Sequence, residues 1–317
     1  MFKLTFAILF IHLATAGFSQ SYTIVIHGGA GYMEPTMPAK MQKRYLETLD
    51  SALQIGASVL ELDGSALDAV EKVINYMEDC PLYNAGKGAV FTFDGKNELD
   101  ASIMDGSNLM AGAVAGVTRI KHPISAARKV MEASPHVMLS GDGANEFAEE
   151  NGLEMVDNSY FKTEKRFSDF KKAKEQHNGV KDKKGTVGCV VFDGKGNLAA
   201  GTSTGGMTLK RWGRIGDSPV IGAGTYADNT TCAVSCTGHG EYFIRLGIAR
   251  DIAARMEYKH LSLQDAASET LEKLTKMEGT GGFVAVDSQG NPVMLFNTGA
   301  MFRGYLKGNG EKMVEIF

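Results

Sequence analysis

At Gly185-Thr186-Val187-Gly188-Cys189 a run of charged residues gives way to an apolar, β-branched one across a single glycine-threonine junction. A threonine behind a flexible glycine can attack the carbonyl that precedes it. The acyl group then moves from nitrogen to oxygen, and hydrolysis of the ester leaves Thr186 as a new N-terminus. Such a residue carries its own base: a free α-amine titrates at about 7.7–8.0, so near neutral pH it can take the proton of the adjacent hydroxyl and make it a nucleophile. The same threonine also suits an ordinary strand position, because β-branching favours extended backbone. The dipeptide alone leaves both readings open.

Residues further along supply what such a nucleophile needs. Gly201-Thr202-Ser203-Thr204-Gly205-Gly206-Met207-Thr208 ends a strand pattern in hydroxyls and glycines, and Gly213-Arg214-Ile215-Gly216-Asp217-Ser218-Pro219 sets a guanidinium and a carboxylate three apart on a turn. Arg214 offers a planar fork to an α-carboxylate and Asp217 an acceptor to an α-ammonium, whereas a structural Arg-Asp pair would satisfy itself. Thr237-Gly238-His239-Gly240-Glu241 runs from a strand into a helix start, where a hydroxyl and N–H groups can stabilise an oxyanion or merely cap the helix. Three rival chemistries can be read in the same segments. Gly201 to Gly205 fits a G-x-S-x-G elbow, with Ser203 as nucleophile and His239 or His260 as base, but Gly205, Gly206 and Gly213 predict a loop where an elbow needs a helix. Cys232, Cys236 and His239 have metal-like spacing but lack a fourth ligand. His27-Gly28-Gly29-Ala30-Gly31 has phosphate-loop glycines without a following Gly-Lys-Ser/Thr, and reads as a turn approaching the site.

Elements to position these groups follow from periodicity. A β-branched run at 22–27 predicts a strand, and helical spacing predicts helices at 40–60 and 65–77, the second with Ser65 as N-cap. Strand-like segments at 89–93, 99–104 and 111–117 precede helical stretches at 125–133 and 144–150. The second half repeats that order: strands at 186–192, 198–203, 220–223 and 232–236, helices at 241–256 and 263–276, then strands at 283–286, 293–296 and from 305 onward. Strands and helices in blocks predict an α+β fold of packed antiparallel sheets covered by helices, rather than a parallel doubly wound one.

Composition sets the outer limits. With 44% hydrophobic and 22% charged residues among 317, the chain can bury a core and is not disordered. A net charge of −4 provides no general attraction for phosphate backbones, which excludes a nucleic-acid partner as the expectation. Residues 1–20 carry Lys3, an apolar run at 4–13, and Ala14 and Ala16 at A-x-A spacing, the pattern of a cleaved secretory signal. That predicts export to the periplasm or beyond, with no membrane span, since the run is too short to cross a bilayer. Residues 162–184 hold nine basic and four acidic side chains and read as a solvated linker. The four cysteines, Cys80, Cys189, Cys232 and Cys236, read as free buried thiols, with a Cys232 to Cys236 bridge as the alternative.

Together these segments resemble the plant-type asparaginases and isoaspartyl aminopeptidases, threonine-type N-terminal-nucleophile hydrolases. The likeness rests on HGGAG at 27–31, CPLYNAGKGAVF from Cys80, NELDASIMDG from Asn97, GTVG at 185–188, TSTGGM at 202–207, GRIGDSP at 213–219, GAGTYADN at 222–229 and CTGHGE at 236–241. It implies a single four-layer αββα domain over 21–317, cut between Gly185 and Thr186 into an α chain (21–185) and a β chain (186–317), and working as a dimer of such pairs. By the same resemblance Thr186 is the nucleophile and Thr204 positions it. Thr237 and Gly238 are oxyanion donors, Arg214 and Asp217 clamp the substrate, and Asn84 assists processing. No cofactor is implied beyond a structural sodium ion on the carbonyls of Met77, Glu78, Cys80, Tyr83, Ala85 and Lys87. The implied substrates are β-aspartyl dipeptides and L-asparagine, with a glycosylasparaginase-like hydrolase and an unprocessed amino-acid-binding homologue as alternatives. Two departures, Leu209 after GGMT and Trp212 before GRIGD, predict a more apolar mouth to the site.

Overall fold

The computed structural model describes residues 21–31, 37–176 and 185–317. In chain order the first half contains β1 (Thr23–Gly31), α1 (Ala39–Glu61), α2 (Ala66–Asp79), β2 (Leu99–Asp105), β3 (Ala111–Val117), α3 (Pro123–Ala133), β4 (Met138–Ser140), α4 (Gly141–Glu150) and α5 (Glu164–Glu175). The second half contains β5 (Val187–Phe192), β6 (Leu198–Thr204), β7 (Thr225–Ala227), β8 (Cys232–Gly238), α6 (Gly240–Leu246), α7 (Ile248–Lys259), α8 (Leu263–Lys276), β9 (Gly281–Asp287), β10 (Pro292–Phe296), β11 (Ala300–Lys307) and β12 (Lys312–Glu315). An eight-stranded sheet runs β12-β11-β1-β5-β6-β2-β3-β4 and a four-stranded one β10-β9-β8-β7. All pairings within the two sheets are antiparallel except β3 with β4.

Strict alternation along the strands sorts residues into layers. On β5 and β2, Cys189, Val191, Ala101 and Ile103 face α1, α2 and α3, whose apolar stripes include Leu49, Leu53, Val70, Ile74 and Val130. Their neighbours Val190 and Met104 turn the other way, onto Ala233, Val284 and Val286 of the small sheet. The far side of that sheet is closed by Phe243, Ile252, Ala266 and Leu274 of α6 to α8. The result is the expected αββα sandwich. Local signals support it: Ser65 caps α2 in a reciprocal box with Asp68, each side chain taking the other's main-chain N–H at 3.1 Å.

Several expectations are corrected. The segment 89–93 is a loop, because Asn97 donates to the carbonyls of Ala89 and Val90 and Asn84 accepts from Val90 N, so side chains take the bonds a ladder would need. Residues 220–223 form turns, with the strand following as β7. The helix expected at 241–256 is divided at Gly247, whose φ of 59° is left-handed. The glycines after His27 make no turn; β1 continues to Gly31 through a bulge between His27 and Gly29. Much of the expected linker is α5, capped by Thr163, with Phe167 and Phe170 against Phe91 at ring distances of 5.7 and 5.3 Å. Two aromatics three apart give that charged segment the apolar contact a linker lacks. Its remainder at 177–184, and the export signal at 1–20, lie outside the described residues. All four cysteines are free. Cys232 and Cys236 sit four apart on one strand, roughly 13 Å, beyond the reach of a disulfide. No helix among the described residues is long and apolar enough to cross a membrane.

Candidate active site

Alternation that puts alanine and valine between the sheets puts hydroxyls there too, at the end of the sandwich where β5 begins. Thr202 and Thr204 follow Ala200 on β6, and Ser235 and Thr237 follow Ala233 on β8, each at a spacing of two. Thr186 immediately precedes β5, and its Oγ1 donates to Thr204 Oγ1 at 3.0 Å. Thr204 Oγ1 also accepts from Gly206 N at 3.0 Å, so the acceptor for the Thr186 proton is itself fixed. Asn84 pins the same loop: Nδ2 donates to Gly206 O at 2.8 Å, and its carbonyl takes Gly205 N at 2.9 Å. Gly185 lies beside it, with room for a Cβ only 3.3 Å from Asn84 Cβ.

A cleft lined by Asn84, Gly185, Thr186, Thr204, Arg214, Asp217 and Gly238 opens here. Asp217 is buried; its Oδ2 has no hydrogen-bond partner, and burial pushes its carboxyl up to about 7. An unpartnered buried carboxylate is costly unless a cation completes it, which is the condition expected of an ammonium acceptor. Arg214 faces the same cleft, but it donates to Glu241 through Nε and Nη2, both at 2.9 Å. That pair uses two of five guanidinium N–H groups and holds the side chain in place. Gly240 makes space for both side chains, since a Cβ there would lie 2.8 Å from Asp217 Oδ1 and 2.9 Å from Arg214 Nη2.

Thr237 is fully buried and its Oγ1 accepts from Ala30 N at 3.3 Å, leaving the hydroxyl proton to donate. Gly238, next to it, reaches the cleft. The rival readings fail on geometry. Ser203 turns from Thr204 toward the helices, donating to Glu78 Oε1 at 2.6 Å, and a loop, not a helix, follows β6. His239, Cys232 and Cys236 make no metal cluster among the described residues. Leu209 and Trp212 do not line the cleft, and Trp212 is 95% exposed, so the apolar mouth is not formed around Thr186.

Sequence reasoning missed His27, Ser235 and Glu241. His27 is fully buried; Nδ1 lies 3.1 Å from Thr186 O and Nε2 3.0 Å from Ser235 Oγ. Burial lowers its imidazole to about 3, so the ring is neutral. The available signal was the period-two recurrence of Ser235 with Thr237 and of Thr202 with Thr204. The six carbonyls expected to hold sodium lie in the last turn of α2 (Met77, Glu78) and in the loop after it (Cys80, Tyr83, Ala85, Lys87). Those of Met77, Glu78 and Cys80 already accept from Cys80, Lys87 and Tyr83, each keeping a second lone pair.

Residues 20–316 match the Asparaginase_2 family, described as asparaginase. The chain is 49% identical over 294 residues to the isoaspartyl peptidase of Escherichia coli K12, covering 89% of this chain and 92% of that one. It is 44% identical over 324 residues to a probable isoaspartyl peptidase/L-asparaginase 2 of Arabidopsis thaliana, covering 93% and 99% respectively. Against a plant-type L-asparaginase of Pyrococcus abyssi the identity is 43% over 301 residues, covering 90% and 96%. With its match spanning nearly the whole αββα sandwich, the chain belongs to the asparaginase family.

Proposed function

We infer that this protein is a threonine amidohydrolase that cuts itself between Gly185 and Thr186 and then hydrolyses β-aspartyl dipeptides and L-asparagine. The observation that carries this reading is the 3.0 Å bond from Thr186 Oγ1 to Thr204 Oγ1 at the floor of a cleft that also presents Arg214 and the unpartnered Asp217. The relatives' names, isoaspartyl peptidase and L-asparaginase, support the substrate class.

In self-cleavage, Thr186 Oγ1 forms a bond to the Gly185 carbonyl carbon while the carbon–nitrogen bond breaks; the hydroxyl proton ends on nitrogen. Water then hydrolyses the ester, giving a carboxylate at Gly185 and a free α-amine at Thr186. That amine serves as base in turnover. Arg214 and Asp217 take the substrate's α-carboxylate and α-ammonium, presenting its β-carbonyl to Oγ1. The oxygen gains charge as the bond forms, and the Thr237 hydroxyl and Gly238 N–H are the proposed donors to it. The leaving amine departs with a proton, and water releases aspartate from the acyl-enzyme. A sodium ion on the carbonyls at the end of α2 and in the loop after it would be structural, since neutral oxygens suit a hard cation and no step needs it. Export through residues 1–20 and assembly as a dimer of cleaved pairs belong to the same proposal.

Intact-mass spectrometry of wild type and Thr186→Ala tests it. The wild type should resolve into two chains, the second beginning at Thr186, while the variant stays whole and loses at least about 10⁴-fold of β-Asp-Leu turnover. Turnover that survives Thr186→Ala would overturn the assignment.

A further inference from the structure

The nucleophile and its proposed oxyanion donor stand on different sheets, Thr186 ahead of β5 and Thr237 on β8. Apolar packing between sheets is non-directional, and catalytic groups need placement to within about 0.5 Å. Something directional must tie the two sheets together at this point.

β5 pairs with β1 only as far as His27 opposite Gly188, and β1 then bulges away. Thr186, two residues earlier on β5's path, lies beyond that ladder, and the His27 side chain reaches its carbonyl instead. A carbonyl can only accept, so Nδ1 carries the proton. Nε2 is then bare and accepts the hydroxyl proton of Ser235. Ser235 belongs to β8, two residues from Thr237. It also lies 2.7 Å from Thr202 Oγ1, to which Thr225 Oγ1 donates at 2.6 Å, so a run of buried hydroxyls stands behind the imidazole. The sheets leave no slack here: a Cβ on Gly188 would lie 2.0 Å from Ser235 Oγ and 2.2 Å from His27 Nε2.

We propose that His27 is a positioning residue: Nδ1–H holds the Thr186 carbonyl, and Nε2, through Ser235, ties that carbonyl to the strand bearing Thr237. Thr186 is thus held at both ends, its hydroxyl by Thr204 and its carbonyl by His27. In the uncut chain the two bonds aim Oγ1 at the Gly185 carbonyl. After cleavage they keep the new α-amine from swinging away, because His27 then anchors the residue that has lost its preceding neighbour.

This inference rests on Thr186 as the nucleophile, and the test separates the two. Self-cleavage is followed by intact mass, and kcat and KM for β-Asp-Leu are measured on processed wild type, His27→Leu, His27→Asn and Ser235→Ala, with melting temperatures alongside. His27→Leu should slow self-cleavage and lower kcat by about tenfold or more while KM stays within about twofold, since the Arg214 and Asp217 clamp is untouched. His27→Asn, whose amide can donate from the Nδ1 position, should recover most of both rates. Ser235→Ala should fall between, at roughly three- to fivefold in kcat, one neutral hydrogen bond's worth. Wild-type rates in a folded His27→Leu overturn the proposal, as does an asparagine variant no better than leucine, or a rise in KM at constant kcat. If His27→Leu does not fold, Ser235→Ala decides: a lower kcat at unchanged KM supports the tie, and wild-type kinetics overturn it. A wild type that neither cuts itself nor turns over β-Asp-Leu would sink the reading of Thr186 instead.

Discussion

On β5, Cys189 and Val191 turn toward the helices while Gly188 and Val190 turn toward the second sheet; on β6, Ala199 takes the first side and Ala200 the second, with Thr202 and Thr204 following it. The helix side is filled by Ile24, Leu53, Val70, Ile74 and Ile103, all fully buried. At the Thr186 end, the inter-sheet side is filled by hydroxyls and an imidazole joined by directional bonds of 2.6–3.1 Å. Identical backbone thus serves two purposes. Dispersion and apolar burial on one side supply stability but tolerate small shifts; hydrogen bonds on the other contribute less net energy and fix geometry. The helix side has its own polar insertion in Ser203 and Glu78. Burial pushes the Glu78 carboxyl up to about 8, and its Oε2 has no partner, which is the cost of putting an acid into the apolar layer.

Substitutions on the two sides should therefore separate stability from rate. Ile103→Ala, on the helix side, should lose about 3–4 kcal/mol of unfolding free energy in denaturant titration, with kcat per folded molecule unchanged; a collapse of kcat in the folded fraction would erase the contrast. Thr204→Val, nearly isosteric on the other side, should lower kcat by about 10²-fold, roughly 2.7 kcal/mol of barrier, at a melting temperature within a few degrees of wild type. Equal loss of stability in that variant would show the hydroxyl layer to be ordinary core.

The proposed Arg214–Asp217 clamp sharpens the comparison further. Asp217→Asn should raise KM about 10- to 30-fold with a smaller change in kcat. Asp217 is protonated below about 7 and ionised above, and the ionised form holds an ammonium by a charge-assisted bond that the neutral carboxyl cannot match, so wild-type KM should fall as pH rises through that value. The asparagine variant should lose this slope; a slope that persists would assign it to another group. Glu241→Gln should have the smallest effect, within about threefold in KM, because that pair is part-exposed and only steadies Arg214.

Much of the architecture could be read from residue patterns. Helix α8 falls where its periodicity places it, α2 starts at the capping serine, and β2, β3 and β6 lie within a residue or so of their alternating runs. Misreadings arose where side chains or tertiary contacts override propensity. Asn84 and Asn97 claim the main chain of 89–93, and Phe167 and Phe170 turn a charged segment into a packed helix. Motif spacing named Thr186, Thr204, Arg214 and Asp217, which share one cleft. It gave no hint that Glu241 would hold Arg214, because that bond spans 27 residues and depends on how α6 meets the turn.

The sequence by itself determined the kinds of chemistry available: a threonine behind a flexible glycine, a guanidinium and carboxylate three apart, and hydroxyls spaced by two along strands. Period-two spacing commits a residue to one face of a sheet whatever lies opposite, so the hydroxyls were bound to cluster on one side. Which side, and against what, only the tertiary structure decided. The packing of β8 over β1 and β5 sets Ser235 against His27 across 208 residues of chain, and the bulge in β1 leaves the Thr186 carbonyl for that imidazole to hold. A hydrogen bond between distant segments has no local signature, since its geometry is fixed by the two sheets and by neither strand alone.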